Sequence, residues 1–152
     1  MAKQWKKVLL AGAAVFLLIQ LLPYGRNHIN PSVRLEPLWD SPVTRALAKR
    51  ACFNCHSNET AWPWYASIAP GSWLVYHDVT AGRKTLNFSH WQAGKRAGED
   101  AAAVAHQINT GAMPPFRYVL VHSEAKLSAA EKKQLLDGLQ STFNRSVLRI
   151  TQ

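Results

Sequence analysis

The period of the hydrophobic positions changes several times along this chain. From Val8 to Leu22 nearly every residue is apolar, and Gln20 is the polar interruption. From Arg26 to Asp40 the sequence is polar, carries Pro31 and Pro37, and keeps no sustained period. Val43, Ala46, Leu47 and Ala51 then recur at helical spacing, with Ser41 and Pro42 placed as N-cap and first helical residue. A second helix is predicted over Trp73–Ala81, where Ser72 caps the start, Gly82 closes the end, and Trp73, Leu74, His77 and Ala81 share a face. Leu86 to Trp91 has no clean period and reads as a structured loop. Glu99 and Asp100 suit the first turn of a helix through Asn109, with Val104 and Ile108 on one side and Gly111 as its stop. Val119 to Ser123 reads as a brief extended piece. Leu135, Leu139 and Phe143 recur every fourth residue after a capping box formed by Ser128 and Glu131, and Leu136 widens the stripe. The pattern predicts an all-α fold in which the last helix packs on the one over Val43–Ala51.

The first apolar run follows a basic head with Lys3, Lys6 and Lys7. Its ~15 residues make roughly 22 Å of helix, short of a hydrocarbon core of about 30 Å. Trp5 and Tyr24 at the two interfaces extend it, and the lysines place the head inside and the remainder outside. The expected organisation is a membrane anchor over residues 1–24, an extended linker over 25–40 and a helical domain over 41–152. A cleaved signal peptide is the competing reading, but Pro23, Tyr24, Gly25 and Arg26 offer no small-residue cleavage site. No cysteine stands near the run, which excludes a lipoprotein.

Charge narrows the partners. The 152 residues carry 18 Lys and Arg against 9 Asp and Glu, a formal net charge of +9. In a cytosolic protein that excess would point to nucleic acid. For an exported domain no nucleic-acid role is expected, and an acidic protein surface is the counterpart; a basic face that only aids solubility is the plainer reading.

The two cysteines of the chain stand three positions apart in Cys52-Phe53-Asn54-Cys55-His56. This is the pattern for covalent haem attachment. Each sulfur can add to one vinyl group, fixing the porphyrin to a short arc of backbone that leaves His56 beneath the iron as a neutral imidazole ligand. A structural zinc site needs further ligands, and there is neither a second Cys pair nor a His-x(3–5)-His spacing among the six histidines. A redox dithiol belongs beside a βαβ pattern, which is missing here.

Met113 is the other informative residue. It is the one methionine beyond the initiator, and Pro114 pushes it toward an extended conformation. A stiff loop of this kind presents a thioether well, so Met113 is the expected second axial ligand. Rivals are His77, His90, His106 and His122, with His28 the poorest, or a vacant sixth position; the plain alternative is a core methionine. Trp62, Trp64 and Tyr65 are candidates for a dry wall against the haem, with ordinary core as the competing role. Arg83 or Lys84 is a candidate partner for a propionate, or a solvated cation.

The arrangement from Ser41 onward resembles the small mono-haem c-type cytochromes of the class I kind, whose first helix ends in the attachment motif. Those proteins take their second ligand from a Gly-x-Met-Pro loop, matched here by Gly111, Met113 and Pro114. More narrowly, the chain resembles a membrane-anchored haem-binding-domain family of bacterial proteins. That likeness rests on residues 52–58, on Trp62, Pro63, Trp64 and Tyr65, on residues 86–91, and on Met113, Pro114 and Pro115. It implies a cytochrome c-like helical domain around one covalently bound haem c, loaded by cytochrome c maturation machinery. It also implies a single pass through the bacterial inner membrane with the haem domain on the periplasmic side. The expected function is single-electron shuttling between redox partner proteins with acidic docking surfaces, not catalysis. The alternatives are a haem-based sensor with a displaceable sixth ligand and a mono-haem peroxidase.

Overall fold

Helix α1 covers Ala2–Ile19 and takes in only part of the N-terminal apolar run. A computed structural model describes residues 2–92 and 94–148, so the last four residues of the expected helical domain lie outside the described residues. Among those described, no helix is long and apolar enough to cross a membrane. The expected transmembrane helix and the single pass through a bacterial inner membrane are therefore overturned. The physical reason is length and charge. Lys3, Lys6 and Lys7 lie within α1, and the apolar part from Val8 to Ile19 extends only about 18 Å against ~30 Å of hydrocarbon.

Gln20, the polar break in that run, is satisfied by protein. Its Nε2 donates to the Ala69 carbonyl and its Oε1 accepts from the Ala69 N–H, both at 3.0 Å. α1 belongs to a first compact unit, Met1–Ile29 with Trp62–Asp78. There Gly25 adopts φ +77°, and a Cβ on it would stand 2.3 Å from the Ser72 carbonyl oxygen, so the chain passes too close for any side chain. Tyr24 packs edge-on against Tyr76 at 5.3 Å.

The second unit, Asn30–Ala61 with Val79–Gln152, holds the main core. Helix α2, Pro42–Ala51, begins as expected: Ser41 is the N-cap and its Oγ accepts from the Thr44 N–H. The buried face is rotated from the predicted one. Thr44, Leu47, Ala48 and Ala51 are inside while Val43 and Ala46 face outward. Gly138 explains the rotation, since its missing Cβ makes room for the Thr44 side chain. The short helix α3, Phe53–His56, follows directly. Helix α4, Gly71–Thr85, runs through Gly82 instead of ending there. α5, Ala101–Asn109, is capped by Asp100, whose Oδ1 accepts the Ala103 N–H at 2.8 Å. α6, Phe116–Val121, is helical where an extended piece was expected, and a 3-10 turn follows at Ser123–Ala125.

α7, Ala129–Leu148, packs against α2 and α5 and buries Leu135, Leu139 and Phe143. The stretch before α2 is extended, as its prolines require, yet it is fastened down. The Leu38 and Asp40 N–H groups donate to Ser146 Oγ and Thr142 Oγ1 of α7, at 2.7 and 3.0 Å.

The capping box forms reciprocally: the Ser128 N–H donates to Glu131 Oε2 at 2.8 Å and the Glu131 N–H to Ser128 Oγ at 3.2 Å. Glu131 also receives Arg50 of α2 at 2.5 Å. The Ser128 amide first, then Arg50, hold its carboxyl down at about 2. Because the folded value lies below the unfolded one, Glu131 contributes stability at pH values above the unfolded pKa, and the contribution disappears as pH falls through the folded value. The difference in thermal midpoint between wild type and Glu131→Gln, followed by circular dichroism, should be largest near neutrality and shrink steadily as the pH falls toward about 2. A difference that stays constant with pH would refute this.

Candidate functional site

The attachment motif sits where α2 gives way to α3. The Cys52 N–H still donates to Ala48 of α2, at 2.8 Å, and the Cys55 and His56 N–H groups both turn back to the Cys52 carbonyl, at 3.1 and 2.9 Å. The arc is held from beneath by Phe53, which is fully buried and stacks on Phe88 with ring centroids 5.5 Å apart. The end of α4 closes over it: a Cβ on Gly82 would lie 2.4 Å from the Cys55 carbonyl oxygen and 3.1 Å from its Cβ. This close approach is why a glycine stands in mid-helix, and it replaces the helix-stop role predicted for it.

His56 is fixed at one nitrogen. Its Nδ1 lies 3.1 Å from each of the Gly82 and Leu86 carbonyl oxygens. A carbonyl only accepts, so Nδ1 carries the proton and Nε2 keeps its lone pair free. Burial pushes the imidazole pKa below its ordinary value, against a smaller opposing pull from the two carbonyls, which keeps the ring neutral. Cys52 is pushed up to about 12, first by burial and then by the neighbouring Cys55. A thiol so held is a poor redox nucleophile, unlike the acidic cysteines of dithiol oxidoreductases.

Beside this arc opens a cavity of about 590 Å³, lined by Cys52, His56 and Met113 together with Leu86, Phe88, Val104, His106, Ile108, Leu139 and a few smaller residues. Met113 is 39% exposed, at the rim, and its N–H donates to the Gln107 carbonyl of α5 at 3.0 Å. One thiol, the imidazole and the thioether named by the sequence thus meet on one cavity. Cys55 lies on the same arc, against Gly82. Trp62, Trp64 and Tyr65 belong to the first unit, whereas the cavity is lined entirely from the second. There Trp62 stacks on His28 at 4.7 Å, and Trp64, 78% exposed, meets Tyr65 edge-on at 5.8 Å. Arg83 is also committed elsewhere than to a propionate: its Nε donates to the Ser57 carbonyl at 2.7 Å and its Nη2 to Asn30 and Thr60.

The apolar wall was not readable as such from the sequence. Leu86 and Phe88 lie in the aperiodic 86–91 loop, and Val104, Ile108 and Leu139 looked like ordinary helical core. The carbonyls of Gly82 and Leu86 leave no trace in a sequence at all.

A haem fits the residues present. The cavity is of ligand size, its wall is apolar, and its polar groups are an imidazole with a free lone pair, a thioether and a thiol. Among the described residues no three His, Cys, Asp or Glu side chains gather to hold a bare metal ion. Fold and site together define a small all-helical protein built around a haem-sized cavity. The chain belongs to the haem-binding domain family, whose model matches residues 14–141. It is also 26% identical over 138 residues to the cytochrome c peroxidase of Escherichia coli (strain K12), an alignment covering 84% of this chain and 30% of that protein. The chain therefore spans less than a third of this relative. No solved structure matches it at comparable stringency.

Proposed function

We propose that the protein is a mono-haem c-type cytochrome in which Cys52 and Cys55 form thioether bonds to one haem, His56 and Met113 ligate its iron, and the loaded protein passes single electrons between redox proteins. The observation that carries this reading is the His56 ring, tied at Nδ1 by two carbonyls so that its other nitrogen is left as a neutral donor beside an apolar cavity that Met113 also lines. A haem held there supplies Fe(III)/Fe(II) exchange, and a thioether ligand favours a higher potential than a second imidazole. The tie of Met113 to α5 through Gln107 restrains the backbone from which the thioether is presented. Leu86, Phe88, Val104 and Ile108 exclude water from the site. The excess of 18 basic over 9 acidic residues supports docking to acidic partner surfaces by long-range attraction. Thioether formation calls for dedicated maturation machinery.

Met113→Ala tests the ligand assignment. In wild type the near-infrared sulfur-to-iron charge-transfer band should be present and ferrous protein should take up carbon monoxide slowly. In the variant the band should vanish and uptake become rapid. A wild-type spectrum in the variant would overturn ligation by Met113.

A second reading is favoured by the similarity to a cytochrome c peroxidase and by His106, which lines the same cavity. In a peroxide-reducing protein the His106 imidazole would hold and return a proton at the open side of the site. Rapid carbon monoxide uptake by unaltered ferrous protein would decide for this reading over the first.

A further inference from the structure

Two of the stretches that carried the family likeness, residues 52–58 and 86–91, are joined to each other through their polar side chains. Behind His56 lies a set of buried polar groups: Ser57, Asn58, Asn87 and Ser89. Burying amides and hydroxyls is costly unless each finds a partner, and an apolar filler would close the same space more cheaply. Here the partners are specific. The Asn58 N–H donates to Ser89 Oγ at 3.0 Å, and Asn58 Nδ2 donates to the Ser32 carbonyl at 2.9 Å. Asn87 Nδ2 donates to Asn58 Oδ1, and Asn87 Oδ1 accepts the Ser89 N–H, both at 2.9 Å.

The two segments so joined flank the imidazole. One begins just after His56. The other begins at Leu86, whose carbonyl accepts from His56 Nδ1, and its Phe88 N–H donates to the His56 carbonyl at 2.8 Å. Main chain and side chain of His56 are thus both gripped by the segment 86–88, and the Asn58, Asn87 and Ser89 side chains fix where that segment lies. Directional bonds of this kind define a position to a fraction of an ångström, which greasy packing does not.

We propose that Asn58, Asn87 and Ser89 are positioning residues that set the strength of the His56 Nδ1–H hydrogen bond to Leu86 and thereby tune the reduction potential of the bound haem. The proposal rests on the haem reading above. A strong bond from Nδ1–H to a carbonyl makes the imidazole a more basic ligand and favours the ferric state. Loosening it raises the potential.

The test uses the full chain, loaded with haem, as wild type and as Asn87→Ala and Ser89→Ala. Leu135→Ala serves as a control, because Leu135 is buried on α7 and outside the cavity lining. Covalent haem is read by mass, ligation by the visible and near-infrared spectrum, and the potential by redox titration. Asn87→Ala and Ser89→Ala should both keep covalent haem and a low-spin spectrum while their midpoint potentials shift upward. Leu135→Ala should lose thermal stability with no shift in potential. If Asn87→Ala does not fold, Ser89→Ala, which removes one hydroxyl, decides alone. Potentials equal to wild type in the loaded variants, or an equal shift in the control, overturn the positioning role and leave the haem reading standing. A wild-type chain that acquires no haem overturns the haem reading, and the proposal with it.

Discussion

Replacing both Cys52 and Cys55 by Ala should yield a protein whose mass is that of the bare polypeptide and whose pigment, if any, is stripped by acidified organic solvent. Wild type should keep its haem through the same extraction. Each single replacement should retain pigment through one remaining bond. The two sulfurs stand on one tight arc because the Cys55 and His56 amides both close on the Cys52 carbonyl. The Cys52 thiol, pushed up to about 12 by burial and by Cys55, stays protonated at neutral pH and is unsuited to dithiol redox cycling. Solvent-extractable pigment in wild type would defeat covalent attachment, whatever the fate of the variants.

Gly82→Ala carries the second large effect. The new methyl would meet the Cys55 carbonyl oxygen at 2.4 Å and its carbon at 3.0 Å, both backbone atoms that cannot swing away. Relief requires the end of α4 to lift from the attachment arc. Forced overpacking of this kind costs about 1–3 kcal/mol or more. The lift also takes the Gly82 carbonyl from His56 Nδ1. The variant should show both a lower midpoint in denaturant unfolding and poorer haem incorporation. Wild-type values for both would mean that the approach of α4 to the arc is slack. Gly12, which has nothing near its Cβ position, should tolerate the same change without loss of haem.

What the sequence makes legible follows from how local each signal is. The Ser41 cap, the capping box at Ser128 and the Leu135, Leu139 and Phe143 stripe each depend on residues a few positions apart, and each is found in the structure. The family likeness rests on such short stretches and agrees with the match over residues 14–141. The spanning-helix reading fails because the run of apolar residues does not report where the helix stops: α1 ends at Ile19, short of Leu22, and includes Lys6 and Lys7. The inner face of α2 is displaced because it depends on a glycine in α7, and no periodicity within α2 reports it. The aromatic cluster at Trp62, Trp64 and Tyr65 is assigned to the first unit, while aperiodic 86–91 supplies Leu86 and Phe88 to the cavity.

The Gly82 oxygen has two tenants. It accepts the Leu86 amide at 2.9 Å as the last turn of α4 winds up, and the His56 ring at 3.1 Å. A carbonyl offers two lone pairs, and both are used. The imidazole is therefore leased its orientation by the tail of a helix, and any fraying of that tail is felt at the ring.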